Sequence, residues 1–268
     1  SQPAFYCPET EADVADLAGM TLAEDVAWTE EAYRACHDRL VDEGANLSNY
    51  GFLDIAGDVA DLRTALDADQ VNLYGVSYGT TPAMLVMRDN PEWVRSVILD
   101  SIIPPDTIFA EAKLASTQSA LNVIFTACAN DQDCSDVYPN VGTVFSDLLT
   151  SLRQEPVDVT IADESGLAYV VTVDDVKFLN FVFDSIFIGD GFTALPAAIY
   201  AAADGDLLAP AEAWIGYLAG EHGSATAEAG GWARGLTYST ECLQDGSVTD
   251  VATVASRYEQ VVDNPSLF

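Results

Sequence analysis

Val71-Asn72-Leu73-Tyr74-Gly75-Val76-Ser77-Tyr78-Gly79-Thr80 (VNLYGVSYGT) is a short apolar run that breaks into Gly-x-Ser-x-Gly. The motif has chemical meaning only in context. It needs a strand before it, a helix after it, and small flanking residues that let a strained turn form without side-chain clashes. Both neighbours are present here. Val71–Tyr74 reads as a compact strand, and TTPAMLVMRDN (80–90) reads as a helix ended by Asn90-Pro91. Such a turn holds the Ser77 hydroxyl clear of the sheet as a candidate nucleophile. The backbone N–H of Tyr78, at the head of the helix, then faces a developing oxyanion. The alternative is a serine in an ordinary structural turn.

The flanking sequence supports a layered α/β fold. Tyr50–Leu66 carries Ile55, Val59, Leu62 and Leu66 on one predicted helical stripe, with Asp54, Asp58 and Asp61 turned away. Val94–Leu99 is a second near-continuous apolar strand, as in a parallel sheet covered on both faces. Helix, strand, tight turn, helix and strand make an α/β pattern. Upstream, the segment from Thr21 to Gly44 reads as a helix, with Thr21 and Glu24 as a capping box and Gly44 as its stop.

The character changes after Pro104-Pro105. Residues 107–129 and 142–153 read as helices, VDVTIA and AYVVTV as a small β-hairpin, and three Ala- and aromatic-rich helices follow. GSATAEAGG (223–231) is a small-residue loop, and TDVATVASRYEQVV is one more predicted helix. The expected division is a core segment over 1–105, a mostly helical cap over 106–232, and a return to the core over 233–268.

At this point the chain resembles a known family. The runs D58-V-A-D-L-R-T-A-L66, V71–T80, N90-P-E-W-V94 and V97-I-L-D100 with Pro104-Pro105 are similar to the α/β-hydrolases that include tripeptidyl aminopeptidases and proline iminopeptidases, the S33 serine exopeptidases. SQPAFYCPE resembles the segment after that family's early Arg-Gly-x-Gly loop, and Y238-S-T-E-C-L-Q-D245 resembles its return from the cap. The resemblance implies a partial α/β-hydrolase core with an inserted helical cap. It also implies cleavage of short peptides or proline from free peptide N-termini through an acyl-enzyme, with no cofactor and no metal. An esterase or lipase-like hydrolase on the same fold, or a degenerate hydrolase that binds peptides without cleaving them, are the alternatives.

The departures are informative. In the family a His-Gly-Gly-type loop precedes the equivalent of this stretch, and the catalytic Asp and His follow the cap. The chain is therefore expected to be an internal piece, inactive alone, with its histidine downstream of Phe268. Pro82 falls early in the helix after the serine, and Ser101 stands where the family usually has glycine. Within the chain, Asp100 ends the second strand, where some α/β-hydrolases keep their acid; a structural turn aspartate is the other reading. His222 follows Ser77 in chain order but sits in a predicted Gly-rich cap loop, and His37 lies on a charged helix beside Cys36 and Asp38. Neither is an evident base for Ser77. Asp184, Asp190, Glu212 and Glu221 are available to hold a peptide's α-amino group, and Phe178, Phe181, Phe183 and Phe187 are available to line a pocket or to pack the core.

Composition excludes several partners. There are 43 Asp+Glu against 10 Lys+Arg, a formal charge of −33. Such a surface repels nucleic acid and anionic membranes, and a saline setting would favour it. No apolar run reaches the ~18 residues of a membrane span. The N-terminal residues carry no signal-peptide pattern, so a leader has been removed or the sequence starts inside a longer chain. Of five cysteines, Cys128 and Cys134 flank a turn-forming ANDQD, while Cys7 and Cys36 would tie an extended segment to the following helix. Cys242 is left over. These pairings suggest a secreted or periplasmic protein, the alternative being five reduced thiols in the cytosol.

Overall fold

The structure is a computed structural model that describes residues 5–162, 166–187, 191–222 and 233–244. The predicted loop 223–231, the predicted helix 249–262 and Asp190 lie outside the described residues. The chain divides into two compact units. The first takes residues 1–6, 37–112 and 232–251, and the second takes 7–36, 113–231 and 252–268.

In chain order the helices begin with α1 (Val14–Leu17), α2 (Leu22–Asp42) and α3 (Phe52–Ala65). Strand β1 (Val71–Val76), α4 (Thr80–Asp89) and β2 (Val94–Asp100) follow. Next come α5 (Phe109–Asn130), α6 (Gln132–Ser135), α7 (Val141–Gln154) and the hairpin of β3 (Val157–Ala162) and β4 (Ala168–Val173). The chain continues through α8 (Asp175–Phe187), α9 (Gly191–Ala203), α10 (Leu208–His222) and α11 (Arg234–Gln244).

The ends of α2 form as the sequence dictates. Glu24 Oε2 accepts from the Thr21 N–H at 2.9 Å, and the Glu24 N–H reaches the Thr21 hydroxyl at 3.4 Å. The Thr21 N–H and the Thr21 hydroxyl, which also donates to Glu24 Oε2 at 2.8 Å, hold the Glu24 carboxyl below its usual range. At the far end Gly44 has φ +92°, Ala45 N–H donates to Leu40 O, and Gly44 N–H donates to Val41 O. This pair of bonds is a Schellman stop, which requires the left-handed conformation that glycine adopts freely.

The first unit contains a two-stranded parallel sheet, β1 beside β2, with Val76 paired to Asp100 at the end of the register. Ala56 of α3 and Leu85 and Val86 of α4 form its small core, with Phe52, Val59, Leu73 and Val94 packed against them. The predicted stripe on α3 is corrected. Leu62 and Leu66 are exposed, and the inward face runs through Phe52, Ala56 and Val59. The helix turns this face to α4, and Arg63, further along it, lies over the Trp93 ring at 4.8 Å. The expectation of a sheet covered on both faces is corrected as well. Tyr74 is 68% exposed and Ile98 62% exposed, because α3 and α4 pack only on the opposite side, where Leu73 and Val94 point.

The second unit holds the large core. Phe145 and Leu149 of α7, Phe178 and Val182 of α8, Leu195 and Ile199 of α9, Leu218 of α10 and Val171 and Val173 of β4 are all fully buried. β3 and β4 pair antiparallel from Val157–Val173 to Ala162–Ala168, as the predicted hairpin requires. Lys177 is buried at 3% exposure, and its ammonium donates to Asp174 Oδ2 at 3.1 Å and to Met20 O at 3.0 Å. A charge so deeply placed needs such partners. Disulfides join Cys7 to Cys36 and Cys128 to Cys134, while Cys242 is free and exposed.

Candidate active site

β1 delivers the chain to Ser77 at the sheet's C-terminal end, and a single helical turn, Ser77–Gly79, runs straight into α4. Ser77 has φ +50°, in the left-handed region that costs a residue with a Cβ about 1 kcal/mol or more. Strain of this kind persists only where neighbouring structure fixes it. The two flanking glycines contribute unequally. A Cβ on Gly75 would lie 2.6 Å from Gly79 O and 2.9 Å from Thr80 Cα, so the returning helix closes over Gly75 and admits no side chain there. A Cβ on Gly79 would meet nothing within 4 Å, and its φ is an ordinary −67°. Only the first glycine answers to the clash argument made from sequence.

Tyr78 follows the serine. Its ring packs on Phe52 of α3 with centroids 4.8 Å apart. Burial raises the phenol above its ordinary value, a hydrogen bond with Thr240 opposes this, and the Glu241 carboxylate adds to the rise. Thr240 is fully buried and also donates to Tyr50 O at 2.8 Å. Thus α11 seats the Tyr78 ring beside α3.

Asp100 pairs with Val76 across the two strands, one residue short of the serine turn, and is exposed. Ser101 beside it has φ +58° and contacts Asp100 Oδ1 at 3.2 Å. A non-glycine residue therefore occupies a left-handed corner, at the position where the resemblance to the aminopeptidase-type hydrolases anticipates glycine. Pro82 is buried in the first turn of α4, where a missing N–H leaves no helix bond unmade.

His37 is exposed on α2, with its Nδ1 3.0 Å from Asp38 Oδ1. His222 is corrected from a loop position to the last residue of α10. No described contact joins His37 to Ser77, and the side chain of His222 lies outside the described residues. In the second unit Phe178 is core, whereas Phe183 stacks on Phe187, which is 78% exposed. Lys113 sits 4.0 Å over the Phe183 ring; desolvation lowers its pKa, against the pull of the Asp184 carboxylate. Glu212 is exposed, and the side chain of Glu221 lies outside the described residues. Among the described residues one grouping has metal-ligand proximity, Cys7, Glu9 and Cys36, and its two sulfurs are bonded to each other. A cavity of about 440 Å³ in the first unit is lined by Phe52, Leu53, Asp54, Leu85, Arg88 and Leu243 among others, and Ser77 is not part of its wall.

Sequence reasoning passed over two contributors to this region. Thr80 and Thr81 are both fully buried, and Thr240 reaches back to Tyr78 from α11. A polar doublet at the start of an apolar helix was the available signal for the first contributor.

Comparison with known proteins supports the fold assignment. Residues 23–154 match the family model of the alpha/beta hydrolase fold. Over 143 residues the chain is 32% identical to the serine protease Hip1 of Mycobacterium tuberculosis and, at the same identity, to that of Mycobacterium bovis. The alignment takes in 50% of this chain and 27% of each relative, so the chain spans well under two thirds of the curated relatives it matches. With its parallel strand pair, its strained serine turn and its array of helices, the chain has an α/β-hydrolase fold with partial homology to a mycobacterial serine protease.

Proposed function

We propose that this protein is a secreted or periplasmic serine hydrolase, an exopeptidase that releases short peptides or proline from free peptide N-termini. The observation that carries the reading is Ser77 at φ +50° between β1 and α4, with Gly75 closed off beneath it. A serine held so at a strand end is placed to attack a carbonyl. In this reading Ser77 Oγ adds to the scissile carbonyl carbon and loses its proton to a general base. The Tyr78 N–H donates to the oxyanion that forms, and the amine leaves with a proton returned from the base. Water then hydrolyses the acyl-enzyme. Asp100 contributes a structural carboxylate at the strand end. The general base and its acid come from residues outside those described here, in keeping with the 27% of each relative that the alignment covers. The helical second unit takes the role of a cap that restricts entry to chain ends, and two disulfides suit an oxidising compartment.

The test is labelling by a fluorophosphonate probe of the protein expressed from its complete reading frame, wild type against Ser77→Ala. Labelling of the wild type alone is expected; equal labelling of both removes Ser77 as nucleophile. Peptides with free and acetylated N-termini then separate exopeptidase from other hydrolase activity. Release from free termini only is expected, and hydrolysis of short-chain esters without any peptide release would establish an esterase instead.

A further inference from the structure

We propose that Thr80 and Thr81 act as a positioning clamp that fixes the Ser77 backbone and the turn after β2 as one unit. This rests on the reading of Ser77 as nucleophile. The Thr80 hydroxyl donates to Ser77 O at 2.6 Å and accepts from the Ile103 N–H at 2.9 Å. The Thr81 hydroxyl donates to Ile103 O at 2.7 Å. Both polar backbone groups of Ile103 are therefore held by consecutive side chains. A threonine in the first helical turn commonly bonds the carbonyl three residues back. Here the same oxygen also serves a second chain segment, which makes the bond a bridge. The bridge runs from one strained corner, Ser77 at φ +50°, to Ile103, two residues past a second, Ser101 at φ +58°; each corner directly follows its strand. Both threonines are fully buried, so no water substitutes for either hydroxyl.

The clamp has one function in catalysis. Ser77 O is the carbonyl of the reacting residue, and pinning it limits rotation of the backbone that aims Oγ. An attacking oxygen misplaced by about 1 Å can lose on the order of a hundredfold in rate. Thr80 touches no reacting atom. It is a positioning residue, and Thr80→Val, close in shape but unable to donate or accept, removes its two bonds together.

The experiment follows the time course of fluorophosphonate labelling of the full-length protein, recording both rate constant and end point. For Thr80→Val the rate constant is expected to fall about tenfold or more while the end point stays complete, because Ser77 is present in every molecule. Thr80→Ser should recover to within about threefold of wild type, since the bridging hydroxyl returns. A Thr80→Val rate constant equal to wild type overturns the clamp. So does a reduced end point with an unchanged rate constant, which would show only loss of folded protein. Should Thr80→Val not fold, Thr81→Val decides, with an unchanged rate constant again overturning the proposal. Ser77→Ala runs alongside: labelling of that variant would defeat the nucleophile reading itself, whereas absent labelling with a wild-type rate in Thr80→Val would defeat the clamp alone.

Discussion

Ser77 and Gly75 together show how a three-residue spacing becomes a geometry. The serine tolerates φ +50° because the chain before it can pass under the helix, and it can pass only where no Cβ protrudes. Gly75→Ala is expected to cost about 2–4 kcal/mol, the range of an overpacked and strained site, and to lower the midpoint of thermal unfolding. Gly79→Ala should be neutral or slightly stabilising, because its Cβ meets open space and alanine favours the helix that follows. The same measurement on both variants checks the asymmetry. Ser101 supplies the converse case. It carries the strain of φ +58° without the compensation glycine would give, so Ser101→Gly should raise stability by about 0.5–1 kcal/mol. The loss of its 3.2 Å contact to exposed Asp100 detracts little.

At the scale of elements, the second unit depends on a buried ion pair and two covalent links. Lys177→Met would strand the Asp174 carboxylate in a dry environment, leaving it the N–H of residue 177 at 2.8 Å as its remaining described donor. Breaking one side of a buried pair costs about 3–5 kcal/mol, and denaturant unfolding should show that loss. The disulfides differ in the length of chain they close, 29 residues for Cys7–Cys36 and 6 for Cys128–Cys134. On loop entropy the first contributes about 3.5 kcal/mol and the second about 2 kcal/mol, so paired Cys→Ser variants should rank in that order by thermal midpoint. Elements with local signals were legible in the sequence. The capping box at Thr21, the stop at Gly44, the β3–β4 hairpin and the strand–serine–helix unit each rest on neighbours within a few positions. The inward face of α3 was not legible. Leu62 and Leu66 follow the apolar period, yet the helix packs through Phe52, Ala56 and Val59 because α4 and a two-stranded sheet offer it only a short partner surface. The Thr80–Ile103 bridge was equally hidden, since it depends on where β2 ends in space.

For the whole molecule, charge is the dominant global term. With a formal charge of −33, the folded chain repels itself, and the described ion pairs engage few of the 43 acidic groups. Raising monovalent salt from about 0.01 to about 1 M shrinks the screening length roughly tenfold and should raise the unfolding midpoint by several degrees. A flat salt response would show that the acids are neutralised by other means. Cationic ligands should bind more readily than anionic ones for the same reason. The contact between α11 and the serine turn has a consequence for biosynthesis. Thr240 and Tyr50, its carbonyl partner, are separated by 190 positions, with residues 113–231 of the second unit emerging from the ribosome between them. While that stretch is being made, the Tyr78 ring has Phe52 on one side and no Thr240 on the other. The surroundings of the Tyr78 ring are therefore completed only once residue 240 has been made.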